Sequence, residues 1–485
     1  MKPSQILLCI LSTLIVLAAV CVLGAGRSSV VRVPSLASVF NLPERTADSL
    51  VADDLLADTL AAVADISVVM PVEQPKADTV PAKPKVTELP KALPQTKLSL
   101  PLFYAALEQA DKHSVRIVHY GDSQIEEDRI SMNLRQRLQE RFGGGGIGLI
   151  PMVQTIPTYT AKQSLEQDGR HVPNTYIKRY LAYGPSAMRL KTGNLYGPLA
   201  QVAVVDQPID VNVELLRDRV LTRDYNRIRV LYSDSIEVQL LPDSIEQRRT
   251  LVSPRSNDSA AMAEPLYQTI IALQPAQRNS LVRLSGRGQV YGLSLETPTG
   301  VQVDNIPMRG AAGTNFTLMA QEPLAAYFGA TNTRLVIMQF GGNAMPSISS
   351  RSAVERYTAA MRQQIQFVMA VAPDASLLFI GPSDMITTIE GEQRSYPMLP
   401  YLDTSLKEMV EEEGGAYYSL FRLMGGAGSM FSWRDKGLAG DDMIHFTRAG
   451  AKKVGEMLAK QLLEDYDSVV ESRNTKVEST DSIHD

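Results

Sequence analysis

Apolar positions change their spacing several times along the chain, and each change marks a different kind of structure. From Ile6 to Ala25 nearly every residue is apolar, with Lys2 before and Arg27 and Arg32 after. A run of roughly 20 such residues is long enough to cross a bilayer as a helix. Between Val33 and Met70 apolar and acidic residues mix, and a short helix is expected around Ala47–Ala64. Then Pro71, Pro75, Pro81, Pro84, Pro90 and Pro94 alternate with Lys, Thr and Val. Proline fixes φ and removes a backbone donor, so this stretch is expected to be extended and unpacked, a tether.

The packed body is predicted to begin near Leu98. Pro101–Ala110 reads as a short helix, and Ile117, Val118 and Tyr120 as an apolar strand. Ile130, Leu134, Leu138 and Phe142 recur every four residues, the spacing of an amphipathic helix, which Gly143–Gly146 ends. From about 155 to 300 helical periodicity is weak. Short runs such as Val202–Val205, Val211–Leu215, Arg227–Tyr232 and Gln289–Leu295 alternate with turn signals such as Asp206-Gln207-Pro208, the texture of a β-sandwich. Strand and helix then alternate again: Arg334–Phe340, Ala353–Val371, Ser376–Ile380, Thr404–Glu413, Ala416–Leu420 and Arg448–Tyr466.

The pattern predicts an α/β fold with one domain interrupted by an inserted β-sandwich. Its expected divisions are 1–26, a signal anchor or signal peptide; 27–98, the tether; 99–154, the first part of the α/β domain; 155–299, the insertion; 300–467, the second part; and 468–485, a polar disordered tail.

Composition narrows the function classes. A formal charge of −5 gives no reason to expect nucleic acid as a partner. Both cysteines, Cys9 and Cys21, lie in the N-terminal apolar run, so the body has no disulfide and no thiolate metal site. Small residues at Val22, Gly24, Ala25 and Gly26 leave cleavage open beside the membrane anchor. Either way the body is exported, to the periplasm or cell surface, and an uncleaved helix would make the membrane a partner.

Candidate chemistry sits where ligands bind open α/β sheets, at the carboxyl ends of strands. Gly121-Asp122-Ser123 ends the first strand, and Gly341-Gly342-Asn343 ends the strand Leu335–Phe340. Asn305–Gly310 follows the strand-like Gly300–Val303, and Asp442-Met443-Ile444-His445 lies before the last helix. Serine, imidazole and carboxylate are the parts of a nucleophile, base and orienter. Each has a plainer use as well: a serine after a strand can cap a helix, and an asparagine can turn a chain. Asp441, Asp442 and His445 could ligate a metal in principle, but no other cluster has ligand spacing, and no metal or cofactor is called for.

In this order the four segments resemble the SGNH (GDSL-type) hydrolase superfamily. The resemblance implies a three-layer α/β/α sandwich with a parallel sheet, Ser123 as nucleophile, His445 as general base and Asp442 as its orienter. It implies an oxyanion hole from the Ser123 N–H, the Gly310 N–H and the Asn343 amide. The chain departs from the pattern at Gln124, where typical members have leucine, and at Ala344, where many have an acid. A β insertion after the serine segment is similar to the layout of the peptidoglycan O-acetylesterases, as are Ile117–Glu126 and Tyr183–Met188. That likeness implies a serine esterase acting on an O-acetylated glycan. An acetyltransferase, an esterase for another acylated glycan, or an inactive glycan-binding scaffold are the alternatives. Tyr176, Tyr180, Tyr183, Tyr196 and Tyr291 could offer sugar-stacking faces or simply fill the sandwich core.

Overall fold

The computed structural model describes residues 97–184, 187–190, 196–216, 222–233, 235–242, 247–253 and 265–481. All belong to the larger of two compact units, Ala62–Asp485. The expected anchor and nearly all of the tether lie outside the described residues. Among the described residues no helix is long and apolar enough to cross a membrane.

The framework is a five-stranded parallel sheet of β1 (Ser114–Gly121), β2 (Gly300–Pro307), β3 (Thr333–Gln339), β4 (Ser376–Ile380) and β5 (Ala416–Tyr418), ordered β2-β1-β3-β4-β5. These strands are apolar on both faces, as expected of a sheet covered on both sides. Alternation then decides which layer each residue joins. Val115, Ile117, Leu335, Ile337, Leu378 and Ile380 pack with helices α1 (Pro101–Leu107), α2 (Ser131–Phe142) and the last helix. Val118, Tyr120, Val336, Met338, Leu377 and Phe379 pack with α3 (Gln321–Ala330), α4 (Arg351–Val371) and α5 (Leu399–Glu412). Two short helices follow β5, α6 (Leu420–Met424) and α7 (Ser429–Asp435), before α8 (Arg448–Asp481).

Helix α8 runs well past Asp467, where the sequence predicts a disordered tail. Once a helix is nucleated, extending it adds one hydrogen bond per residue, so a polar composition does not stop it. The Lys97 ammonium donates to the Ser468 hydroxyl at 2.8 Å, and Arg473 pairs with Glu108 at 2.5 Å, which ties this stretch to the body.

Between β1 and β2 the chain builds two antiparallel sheets. The larger orders its strands 247–253, 266–277, 225–232, 288–296, 201–205, 178–181. The smaller runs 170–172, 161–167, 209–215, 279–286, 236–241. Ile209, Val211 and Val213 meet Ile228, Val230 and Tyr232 in one core, so the sheets pack face to face. Leu231, Val202, Leu266 and Tyr291 point the other way, into the core that holds Tyr120, Phe316 and Tyr327. The larger sheet is thus buried on both faces and fused to the α/β layer. Gly148–Ile150, which the sequence assigns to the α/β domain, pairs with 293–295 of this sheet. The glycine run before it is a close-approach seam: a Cβ at Gly146 would sit 2.0 Å from the Leu295 carbonyl oxygen.

A buried ion cluster crosses the same seam. Arg116 of β1 pairs with Asp304 of β2 at 2.5 Å and with Glu296 of the insertion, which also takes Arg227 at 2.7 Å and Arg229 at 3.1 Å. Burial alone would push the Glu296 carboxyl up, yet the three guanidinium groups outweigh it and hold it down to about 2.

Candidate active site

Ser123 leaves the carboxyl end of β1 in a tight turn. The Asp122 carboxylate accepts the Gln124 N–H at 2.9 Å, which caps that turn. Asp122 is buried, and desolvation pushes its carboxyl up to about 6, although the Gln124 N–H, His445 and Arg129 work against it. On the other side, the loop before α8 brings His445 over the serine. Ser123 Oγ lies 2.8 Å from His445 Nε2, and His445 Nδ1 lies 2.7 Å from Asp442 Oδ2. The second carboxylate oxygen of Asp442 accepts the backbone N–H groups of Ile444 and His445, each at 3.0 Å. Partial burial would raise this carboxyl, but those N–H groups and the imidazole prevail and hold it below its ordinary value.

Gly310 and Asn343 line the same cleft. β2 ends at Pro307, and the Met308 N–H donates to the Gly121 carbonyl at 2.7 Å, which holds the following turn against the serine strand. Gly310 in that turn has φ 76°, a conformation that favours glycine, and no atom stands within 4 Å of where a Cβ would be. The Asn343 amide donates to the Ala311 carbonyl at 3.1 Å, which links the glycine turn to the asparagine turn. Ser123, Gly310, Asn343 and His445 all line one cleft of about 450 Å³, together with Glu126, Arg309, Pro382 and Ser383.

Comparison with known proteins returns no matching family model and no matching curated protein. Among solved structures, the chain is similar to one described as a peptidoglycan O-acetylesterase, at 18% identity and a TM-score of 0.58. That alignment covers 76% of this chain and 96% of the other. The chain shares the fold of that structure. A second likeness, to an acetylxylan esterase from Geobacillus stearothermophilus, has 14% identity and a TM-score of 0.24, and spans 35% of this chain and 73% of that one.

Two residues that the motifs do not flag tie the site together. Gln124 Nε2 donates to the Ile444 carbonyl at 2.8 Å, and Gln124 Oε1 accepts the Phe446 N–H at 3.3 Å, so one side chain brackets His445. The Arg129 guanidinium donates to the Ser123 carbonyl, to the Gln124 carbonyl at 2.9 Å and to the Phe446 carbonyl at 3.3 Å. The departure from leucine at position 124 was the one sequence signal pointing here.

Most of the remaining polar and aromatic groups hold the fold rather than line the cleft. Asp384 is buried and accepts the Met430 N–H at 2.9 Å at the start of α7. Tyr183, Tyr196 and Tyr291 are buried, and the exposed Tyr176 donates to Gln167 at 2.7 Å. His119 lies beneath the site on β1. Its Nε2 is 3.1 Å from Gln339 Oε1 and its Nδ1 is 2.9 Å from the Ser131 hydroxyl. Burial lowers its pKa to about 4, so it is neutral near pH 7.

Proposed function

We propose that the protein is a serine esterase that removes O-acetyl groups from an exported glycan, cell-wall peptidoglycan foremost, through an acetyl-Ser123 intermediate. The unbroken chain Ser123 Oγ–His445 Nε2, His445 Nδ1–Asp442 Oδ2 at 2.8 and 2.7 Å, inside the cleft, carries this reading. Ser123 Oγ attacks the acetyl carbonyl while His445 Nε2 takes its proton. The imidazolium then returns that proton to the departing sugar oxygen as the C–O bond breaks. A water molecule, deprotonated by His445, attacks the acetyl-serine, and acetate leaves as Ser123 regains its hydrogen. Asp442 holds the imidazole tautomer with Nδ1 protonated and stabilises the imidazolium. The oxyanion is received by the N–H groups of Ser123 and Gly310 and by the Asn343 amide, in a site partly shielded from water.

The inserted β-sandwich and the similarity to a peptidoglycan O-acetylesterase support a glycan substrate. The N-terminal apolar run supports export and a tether to the membrane. The test is acetate release from O-acetylated peptidoglycan and from a small acetyl ester, with Ser123→Ala as control. Release abolished in the variant supports the esterase. Activity on the small ester alone moves the substrate to another acylated polymer, and acetyl appearing on an added sugar acceptor marks a transferase. No activity from the folded parent on either substrate overturns the hydrolase reading and leaves a glycan-binding scaffold.

A further inference from the structure

The turn that begins at Ser123 ends in a strained bend. Glu127 and Asp128 have φ of 61° and 62°, in the left-handed region, and neither is glycine. Such strain persists only where the surroundings enforce it, and it gathers at functional sites. Here the enforcement is visible. Asp128 takes both terminal nitrogens of Arg135, at 2.7 and 3.1 Å, and the Thr160 hydroxyl at 2.8 Å. The Tyr159 N–H donates to the Glu127 carbonyl at 3.0 Å.

The bend immediately follows Glu126, which lies in the wall of the cleft that holds Ser123 and His445. The Glu126 side chain is only 12% exposed, and its Oε1 is buried with no hydrogen-bond donor among the described residues. Arg309 approaches no closer than 3.7 Å, beyond hydrogen-bond reach, and its own side chain stands mostly in solvent. Burial raises the Glu126 carboxyl above its ordinary value despite Arg309 and Arg129 nearby, which makes it a more basic acceptor. A buried acceptor left without a donor costs stability. Oε1 itself is closed to solvent, but the exposed part of the side chain lies in the wall of a cleft built around a nucleophile, where a substrate can bring a donor to the carboxylate.

We infer that Glu126 is a specificity-determining residue that accepts a hydrogen bond from the glycan beside the acylated oxygen, from a neighbouring hydroxyl or an acetamido N–H. This rests on the esterase reading and adds to it the group that distinguishes a sugar ester from a plain one. Arg309, 3.7 Å away at its nearest and mostly exposed, partly balances the carboxylate's charge.

The experiment compares kcat and KM of the parent, Glu126→Ala and Glu126→Gln on O-acetylated peptidoglycan, on O-acetylated xylan, which lacks acetamido groups, and on 4-nitrophenyl acetate. In Glu126→Ala the ratio of glycan kcat/KM to small-ester kcat/KM falls about 10- to 100-fold, the range for losing a hydrogen bond to a charged group, and KM carries the change. Glu126→Gln keeps the shape and an acceptor oxygen, and loses a smaller part of the ratio; it stands in if the alanine variant does not fold. A fall on both glycans assigns the donor to a hydroxyl. A fall on peptidoglycan alone assigns it to the N–H. A ratio within threefold of the parent in both variants overturns the inference while leaving the esterase in place. A parent that cleaves none of the three overturns both.

Discussion

Replacing Gln124 by leucine would bring the sequence closer to typical members of the superfamily, and the structure says it would damage this one. The side chain spans from the serine turn to the carbonyl of Ile444 and the N–H of Phe446, the residues on either side of His445. Leucine is of similar bulk, so the change opens no large cavity, but it leaves both backbone groups without their partner. Each buried orphan costs about 1–3 kcal/mol. Gln124 is only 9% exposed and the Phe446 N–H is buried, whereas the Ile444 carbonyl is part-buried and can recover some hydration. Burying the leucine methyls returns about 1 kcal/mol. The net expectation is a loss of about 1–3 kcal/mol in stability. The kinetic effect should be larger in proportion, because the loop that slackens carries the base: a displacement of about 1 Å can cost about 10²-fold in rate. Urea denaturation and 4-nitrophenyl acetate turnover on Gln124→Leu would measure both, with kcat falling about 10- to 100-fold and KM little changed. A variant that matches the parent in urea midpoint and in kcat would refute the claim that this side chain positions His445.

Two further perturbations test the electrostatics. Asp442→Asn should lower kcat by about 10²–10⁴-fold, since an amide facing Nδ1 favours the wrong tautomer. The lower part of that range is expected because the pair is exposed, 38% for His445 and 50% for Asp442, and water can partly substitute. His119 and Asp122 should oppose each other in the pH dependence of stability. His119, lowered to about 4, withdraws stability as pH falls from 6.5, because the unfolded chain takes up the proton first. Asp122, raised to about 6, withdraws stability as pH rises from 4, because the unfolded chain releases its proton first. Each is worth about 3 kcal/mol, so they nearly cancel between pH 4 and 6. His119→Gln should uncover a fall of that order over this window, and an unchanged pH profile in urea denaturation would show that the two do not compensate.

Much of the fold was legible because its signals are local. The four-residue spacing from Ile130 to Phe142 and the apolar runs of β1, β3 and β4 each report on their own neighbourhood. Ser123, Gly310, Asn343 and His445 could be picked out because strand ends are where an α/β sheet presents its chemistry, and the fold does bring them to one cleft. What was not legible depends on distant partners. Gln124 and Arg129 look like surface polar residues until the histidine loop, 322 and 317 positions away, closes over them. The bend at Glu127 and Asp128 carries no glycine to announce it, because a buried ion pair with Arg135 enforces it. The strand Gly148–Ile150 is too short to show which sheet it joins, and the tyrosines of the insertion give the same sequence signal whether they face a core or a sugar.

The charges at the seam couple the inserted sandwich to the α/β layer energetically. Arg116 and Asp304 belong to the parallel sheet, but Glu296, Arg227 and Arg229 come from the inserted strands. Asp304 also takes the Leu149 N–H at 2.8 Å, where the chain departs for the insertion. Removing the sandwich would take away Glu296 and leave Arg116 with Asp304 as its remaining carboxylate, and breaking a buried pair costs about 3–5 kcal/mol. The two halves therefore share one charge balance, and a transplant of either into another scaffold disturbs the pairing at Arg116 and Glu296.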